Sequence, residues 1–428
     1  MARIVIEGGR PLSGEVRVGG AKNAALPIMA ATLLCGETVH LSNVPRLNDV
    51  VTMQKVLRAL GATCEWEGPG RLKVNADGGI QEEAPYELVK TMRASFFVMG
   101  PLLARLKRAR VPLPGGCAIG VRPVNIHLKG FEALGARVSI DGGFAVAVAD
   151  RLVGTRIHLD FPSVGATENL MMAACLAEGS TTIENAAQEP EIVDLGDFLN
   201  AMGGRVQGAG GPTIQIEGVE RLRGVSYRVI PDRIDAGTFL VLGALTRGPL
   251  TVCDAHPAHQ VAVIAKLREM GATIEVTDDR ITVEAPARLK GIEVKTLPYP
   301  GFPTDMQAQL TVAMCLAQGT SLVTETVFEN RFMHTAELVR MGANLSIRDR
   351  TVVINGVDHL TGCPVSASDL RAGAAMVMAG LVAEGKTEVG NVHHIDRGYE
   401  NLVERLTGLG ARITRIEDPA PGPDNHRR

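Results

Sequence analysis

Apolar stretches with little polar relief recur along the chain. Asn169-Leu170-Met171-Met172-Ala173-Ala174-Cys175-Leu176-Ala177 and Asp235-Ala236-Gly237-Thr238-Phe239-Leu240-Val241-Leu242-Gly243-Ala244-Leu245 are the clearest. A helix that is apolar all round is buried on most sides, and Ala and Gly let such helices approach closely. Between these runs, helix-like segments end in Gly-Ala or a close variant and pass directly into strand-like sequence, as in Leu267-Arg268-Glu269-Met270-Gly271-Ala272. The marking glycines are Gly61, Gly135, Gly203, Gly271, Gly342 and Gly410, at intervals of 68 to 74 residues. Glycine there fits the left-handed position that closes a helix. A second phrase follows most apolar runs: Gly36-Glu37-Thr38, Gly179-Ser180-Thr181, Gly248-Pro249-Leu250, Gly319-Thr320-Ser321 and Gly385-Lys386-Thr387.

One unit therefore reads as strand, helix, strand, helix and paired strands over about 70 residues, longer than common solenoid repeats. Six units predict an α/β protein of two inside-out domains. Each domain holds three pseudo-symmetric repeats with buried helices and outer sheets. Three marking glycines fall on either side of residues 228–234, which places a domain boundary there.

Composition narrows this picture. At 428 residues the chain exceeds what one core usually supports. Aromatic residues make up only 4%, so the cores must be built from Ala, Val, Leu, Ile and Met. A net charge of -3 gives no basic field for nucleic acid. The first residues lack a signal-peptide pattern, and the apolar runs are too short or too interrupted for membrane insertion. Seven scattered cysteines suggest neither a disulfide framework nor a metal site, so the expected compartment is cytoplasmic. No P-loop or dinucleotide fingerprint is present, so no cofactor is expected.

Polar residues gather just before the apolar helices: Lys22-Asn23, Arg93, Ser163 to Asn169, Asp232-Arg233, Thr304-Asp305 and Ser368-Asp369-Leu370-Arg371. Helix capping accounts for Asp232, Thr304, Ser368 and Thr167. It does not account for Lys22, Arg93 and Arg371, because a cation near a helix start is opposed by the dipole. Their placement fits an anion bound among them, and Arg122, Arg331 and Arg397 extend the set. The segment Gly115-Gly116-Cys117-Ala118-Ile119-Gly120-Val121-Arg122-Pro123 reads as a loop, where a thiol beside a cation is a candidate reactive group.

Over essentially its full length the chain resembles the UDP-N-acetylglucosamine 1-carboxyvinyltransferases of the enolpyruvyl transferase family. Lys22-Asn23, the Cys117 loop, residues 163–169, residues 231–233, residues 302–307 and His394-Ile395-Asp396-Arg397-Gly398-Tyr399 carry the likeness. The resemblance implies one domain of residues 1–21 and 230–428 and another of 22–229. It implies transfer of the enolpyruvyl group of phosphoenolpyruvate to the 3′-hydroxyl of UDP-N-acetylglucosamine, with addition followed by elimination of phosphate, in peptidoglycan synthesis. Cys117 then corresponds to the acid that protonates C3 and to the target of the epoxide fosfomycin. Asp305 corresponds to the candidate base at the sugar hydroxyl. Lys22, Arg122 and Arg397 correspond to cations around phosphoenolpyruvate, with Arg93 and Arg371 in the same positive region.

By the same resemblance Asn23, Arg93, Arg122, Pro123, Val124, Asn125, Ile126, His127, Ser163, Val164, Gly165, Asp305 and Phe328 would meet the sugar nucleotide. Asp369, Arg331 and Asp232 would support the site, Asp369 by orienting Lys22 or Arg397. Asn125 stands where the family commonly has Asp, which removes a negative charge from the nucleotide segment. A shikimate 3-phosphate transferase of the same fold, or a non-catalytic repeat scaffold, remains the alternative.

Overall fold

The computed structural model describes residues 2–114 and 124–417. Six helices run through the interior: Lys22–Ala31, Met99–Leu106, Val164–Ala174, Arg233–Leu245, Gln307–Cys315 and Leu370–Val382. Burial is nearly continuous along them; every residue from Ile234 to Ala244 is buried, as is every residue from Arg371 to Leu381. Such helices have no solvent face to fill with charge, which explains the missing polar period in their sequences.

Among the described residues the strands lie outside, in five four-stranded sheets and one three-stranded sheet. The expected unit is plainest at Glu293–Lys295, Gln307–Cys315, Thr320–Thr324, His334–Arg340, Asn344–Arg348 and Thr351–Asn355. Its first strand pairs in parallel with the strand after the buried helix, and the closing hairpin is antiparallel. Gly61, Gly135, Gly203, Gly271, Gly342 and Gly410 all have φ between 94° and 101°, a conformation costly for residues with a Cβ. The repeat marker is thus a backbone requirement. Of the second phrase, Gly179, Gly319 and Gly385 share positive φ, whereas Gly36 and Gly248 are absent from that set.

Two hydrophobic cores result. One gathers residues from Ala21 to Val229; the other combines Ile4 to Val18 with Ile234 to Ile413. The N-terminal strands complete sheets of the second core. Ala2–Glu7 pairs with Lys386–Gly390 and Arg412–Glu417, and Gly14–Arg17 pairs in parallel with Leu250–Cys253. Ser226–Arg228 completes a sheet of the first core beside Val39–Ser42. The chain crosses between cores twice, and the crossings bond to each other: Ala21 N–H donates to Ile230 C=O at 2.7 Å, and Asp232 N–H to Gly19 C=O at 2.9 Å. A Cβ on Gly20 would lie 1.7 Å from Asn43 carbonyl oxygen, so this crossing excludes a larger residue.

The capping expectations need three corrections. Asp232 does cap its helix, accepting from Ile234 and Asp235 N–H. The helix after Ser163 is capped by Ser163 itself and the one after Ser368 by Asp369. Thr167 lies inside its helix and accepts from Ala187 N–H. Thr304 Oγ1 donates to Glu325 at 2.9 Å.

Candidate active site

Two of the cations flagged by their unfavourable helix-start positions, Lys22 and Arg371, reach carboxylates. Lys22 opens the first buried helix and is 8% exposed. Its Nζ lies 3.0 Å from Asp49 Oδ2. Arg397, at the end of the short 3₁₀ turn Val392–Arg397, donates from Nε to the other oxygen at 2.9 Å. Asp49 sits in Asn48–Ala59, whose apolar face belongs to the first core. Arg397 is flanked by Ile395 and Tyr399 of the second. Asp49 therefore ties two cations from opposite cores to one point. Burial opposes its ionisation, but the charges of Lys22 and Arg397 outweigh that and lower its pKa.

The second carboxylate is Asp305, in the 3₁₀ turn Thr304–Met306. Arg331 Nη2 lies 2.7 Å from Oδ1. Arg371 donates to Oδ2 from Nε at 3.2 Å and from Nη2 at 3.0 Å. The Asp305 side chain is 26% exposed, whereas those of Arg331 and Arg371 are 5% and 3% exposed. The carboxylate thus forms the accessible surface of a buried cationic floor. Burial works against its charge, yet the two guanidinium groups hold its carboxyl well below the usual range.

The floor is braced. Arg331 Nη1 donates to Thr304 Oγ1 at 3.1 Å, and its guanidinium sits 5.3 Å from the Phe328 ring centre. Glu325 accepts from Thr296, Thr304 and the N–H groups of Val327 and Phe328. Arg371 lies 5.5 Å from the Tyr399 ring centre, and the Tyr399 hydroxyl meets Thr238 and Gln309. The arginine helix also packs directly on the Arg397 turn: a Cβ on Gly373 would fall 2.6 Å from Ile395 Cγ1.

On the first core, Ser163, Val164 and Gly165 form a partly exposed helix start, with Ser163 Oγ accepting from Ala166 N–H at 3.3 Å. His127 packs beside Gly165, and its Nδ1 is 3.1 Å from Asn169 Nδ2. Burial first, and then the charge of Arg93, push its pKa down to about 3, leaving it neutral. Asn125 and Ile126 lead the helix Asn125–Ala133, and Asn125 is exposed. Exposed helix N–H groups beside a neutral ring make a place for an uncharged base or a phosphate oxygen.

Comparison with known proteins identifies the lineage. The family model for EPSP synthase (3-phosphoshikimate 1-carboxyvinyltransferase) matches residues 6–406. A UDP-N-acetylglucosamine 1-carboxyvinyltransferase 2 of Carboxydothermus hydrogenoformans is 56% identical over 98% of this chain and 100% of its own. A UDP-N-acetylglucosamine 1-carboxyvinyltransferase of Desulfatibacillum aliphaticivorans is 55% identical over 97% of this chain and 100% of its own. The chain belongs to the UDP-N-acetylglucosamine 1-carboxyvinyltransferase branch of the EPSP synthase family.

Solved structures agree on the architecture of this transferase. The enolpyruvyl transferase NikO from Streptomyces tendae superposes with a TM-score of 0.88 at 26% identity, covering 98% of this chain and 99% of its own. An EPSP synthase from Acinetobacter baumannii gives 0.76 at 20% identity, covering 97% and 100%, which speaks to the fold alone. The expected two-domain inside-out fold is therefore the fold of this transferase.

The fold of this transferase brings Lys22 and Arg397 together, and separately Asp305, Arg331 and Arg371. Asn23 is partly exposed on the first turn beside Lys22. Val124 directly precedes its helix. Cys117, Arg122 and Pro123 lie outside the described residues. Asp369 caps the Arg371 helix, accepting from Arg371 and Ala372 N–H; the carboxylate between Lys22 and Arg397 is Asp49. Sequence reading missed Asp49, which follows an ordinary Leu-Asn and carries no motif. It also missed Glu325 and a buried acid group, Glu168, Glu189 and Glu191. Glu191 accepts from Arg233 Nε at 3.1 Å across the two cores. Glu168 is fully buried with neither oxygen bonded. Burial first, and then its two acidic neighbours, raise its pKa well above the usual range, which favours the protonated form.

Proposed function

We propose that this protein transfers the enolpyruvyl group of phosphoenolpyruvate to the 3′-hydroxyl of UDP-N-acetylglucosamine and releases phosphate, the first committed step of peptidoglycan synthesis. The observation that carries the reading is the 55–56% identity, over nearly the whole chain, to carboxyvinyltransferases that bear this acceptor in their names. The paired cations support it, because phosphoenolpyruvate carries a carboxylate and a phosphate to be neutralised together. We assign Lys22, Arg122 and Arg397 to that anion, with Arg93 and Arg371 contributing to the same field. Asn23, Arg93, Arg122, Pro123, Val124, Asn125, Ile126, His127, Ser163, Val164, Gly165, Asp305 and Phe328 are assigned to the sugar nucleotide.

In the addition, the acceptor oxygen bonds to C2 of phosphoenolpyruvate and its proton passes to Asp305. C3 receives a proton from Cys117, giving a tetrahedral phospholactoyl ketal. In the elimination, C3 gives a proton back to the Cys117 thiolate, the C2–C3 double bond re-forms, and the C2–O bond to phosphate breaks as the proton taken up by Asp305 passes to the departing phosphate. The cationic groups offset charge on the departing phosphate. No cofactor or metal enters these steps. The two hydrophobic cores support domains of 22–229 and of 1–21 with 230–428. Cytoplasmic location is proposed, in keeping with the cysteines among the described residues, which are all free. Among those residues no helix is long and apolar enough to cross a membrane.

Phosphate release with purified protein tests the reading directly. Turnover is expected with phosphoenolpyruvate and UDP-N-acetylglucosamine. Turnover only when shikimate 3-phosphate replaces the sugar nucleotide overturns it. Cys117→Ala is expected to abolish adduct formation with fosfomycin, while Cys117→Asp keeps a proton donor and resists the epoxide.

A further inference from the structure

A base gripped by two guanidinium groups is a poor base. Its proton affinity falls with each neighbouring positive charge and with each N–H it accepts, and efficient proton transfer wants an affinity near that of its surroundings. Asp305 has both handicaps, with three N–H contacts from Arg331 and Arg371 at 2.7 to 3.2 Å. The cations facing it are Arg331 from the segment before His334–Arg340, Arg371 from Leu370–Val382 and, more distantly, Arg233 from Arg233–Leu245, with the acidic Glu325 behind Thr304 and Asp232 acting on Arg371. Thr304, its chain neighbour, is committed to Arg331 and Glu325.

The arginines, by contrast, are anion receptors already filled. Both are buried, and the partly exposed Asp305 carboxylate bonds to both. Phosphoenolpyruvate brings a carboxylate of the same shape as the one now held there.

We propose that Asp305 holds the place of the phosphoenolpyruvate carboxylate on Arg331 and Arg371, and that arrival of the substrate carboxylate releases Asp305 to act as base. The exchange rests on the reading of phosphoenolpyruvate as substrate. It has two parts that act in the same direction. The incoming carboxylate takes N–H donors away from Asp305, and its negative charge raises the proton affinity of the carboxylate it displaces. The base is thereby weak while the acceptor alone is bound and strong once both substrates are present. Proton removal from the sugar hydroxyl is confined to the complex in which C2 is there to be attacked.

The test is a titration of Asp305 itself. Protein labelled with carboxyl-13C aspartate is followed by NMR, and the Asp305 signal is assigned by its loss in Asp305→Asn. In free protein the signal is expected to stay that of an ionised carboxylate at pH values near the ordinary aspartate midpoint of about 3.9. Saturating phosphoenolpyruvate is expected to raise its proton affinity at least tenfold, and inorganic phosphate alone to leave it unchanged. Arg371→Lys, which offers one ammonium in place of a two-pronged donor, is expected to raise the ligand-free midpoint and shrink the phosphoenolpyruvate increment. An unmoved midpoint with phosphoenolpyruvate bound, or an equal rise with phosphate alone, overturns the exchange. Phosphate release is measured on the same samples, so a working transferase with an unmoved Asp305 refutes the exchange and leaves the function standing. Failure to bind phosphoenolpyruvate at all overturns both.

Discussion

Asp49 and Asp305 each bond two cations, but they do so in opposite settings. Asp49 is 7% exposed, and one of its partners, Arg397, is 39% exposed. Asp305 is 26% exposed, and both its partners are almost wholly buried. In the first cluster a buried anion organises cations that can still reach a ligand. In the second, buried cations present an anion. Asp49 also joins residues of two cores, whereas Asp305 and both its arginines belong to the second half of the chain. The pair shows that the count of charges in a cluster says little about its work. Which partner faces outward decides whether an arriving ligand first meets a cation or a carboxylate.

Removing the outward carboxylate should have the largest effect. Asp305→Asn leaves Arg331 and Arg371 buried without a counter-charge, a loss of about 3 kcal/mol for a broken buried pair. It also removes the proton acceptor, which costs roughly 10²- to 10⁴-fold in turnover. Phosphate-release kinetics and a denaturant titration on one preparation read both. Full activity would end the assignment of Asp305 as base. Asp49→Asn should be milder, with turnover down about tenfold and a stability loss of roughly 1.5–3 kcal/mol for its charged hydrogen bonds. Arg397, 39% exposed, can turn to water although Lys22 stays buried, whereas Arg331 and Arg371 are both enclosed. Equal losses in the two variants would erase the distinction drawn between the clusters.

Glu168 supplies the third setting, a carboxylate with no cation bonded to it. Its folded proton affinity is raised, so its contribution to stability is present below the unfolded glutamate midpoint of about 4.3. That contribution is lost as pH rises from there through the folded midpoint, at up to about 1.4 kcal/mol per pH unit. Asp49 and Asp305 have lowered affinities and give the opposite slope: their stability is present above about 3.9 and lost on acidification. Glu168→Gln should therefore match wild type near pH 4 and become progressively more stable than it as pH rises. Chemical denaturation across pH measures this, and a constant difference between the two proteins would refute a protonated Glu168.

How much of this was legible beforehand depends on whether a role leaves a local trace. The buried helices did, because all-round burial erases polar periodicity, as in Ile234 to Ala244. The six glycines did, because positive φ restricts residue choice. Lys22 and Arg371 were visible as cations at helix starts where the dipole disfavours them. Asp49 left no trace, since an acidic residue in a first helical turn is ordinary and its partner lies 348 residues away. Glu168 lay within residues 163–169, which carry the family likeness, and nothing local reveals that both its oxygens are buried without a hydrogen bond. Ser163 and Asp369, rather than Thr167 and Ser368, are the caps because the helices begin one to four residues away from where polar composition alone put them.

The smallest expected change concerns the support behind Arg371. Tyr399 hydroxyl lies 2.9 Å from Thr238 Oγ1 and 3.2 Å from Gln309 Nε2. Both partners keep another bond when it is removed: Thr238 Oγ1 donates to Ile234 C=O, and Gln309 Nε2 donates to Thr238 Oγ1 at 3.2 Å. Tyr399→Phe therefore leaves Thr238 and Gln309 each with another bond, removes the hydroxyl's interaction with Arg371, and keeps the ring against the guanidinium. Its cost should stay near 1 kcal/mol, the net worth of an ordinary hydrogen bond, with turnover changed less than about threefold. A tenfold loss of turnover at unchanged stability would show that the hydroxyl, and not the ring, sets the angle at which Arg371 holds Asp305. The outward carboxylate would then be tuned from inside the core, as Asp49 is from across it.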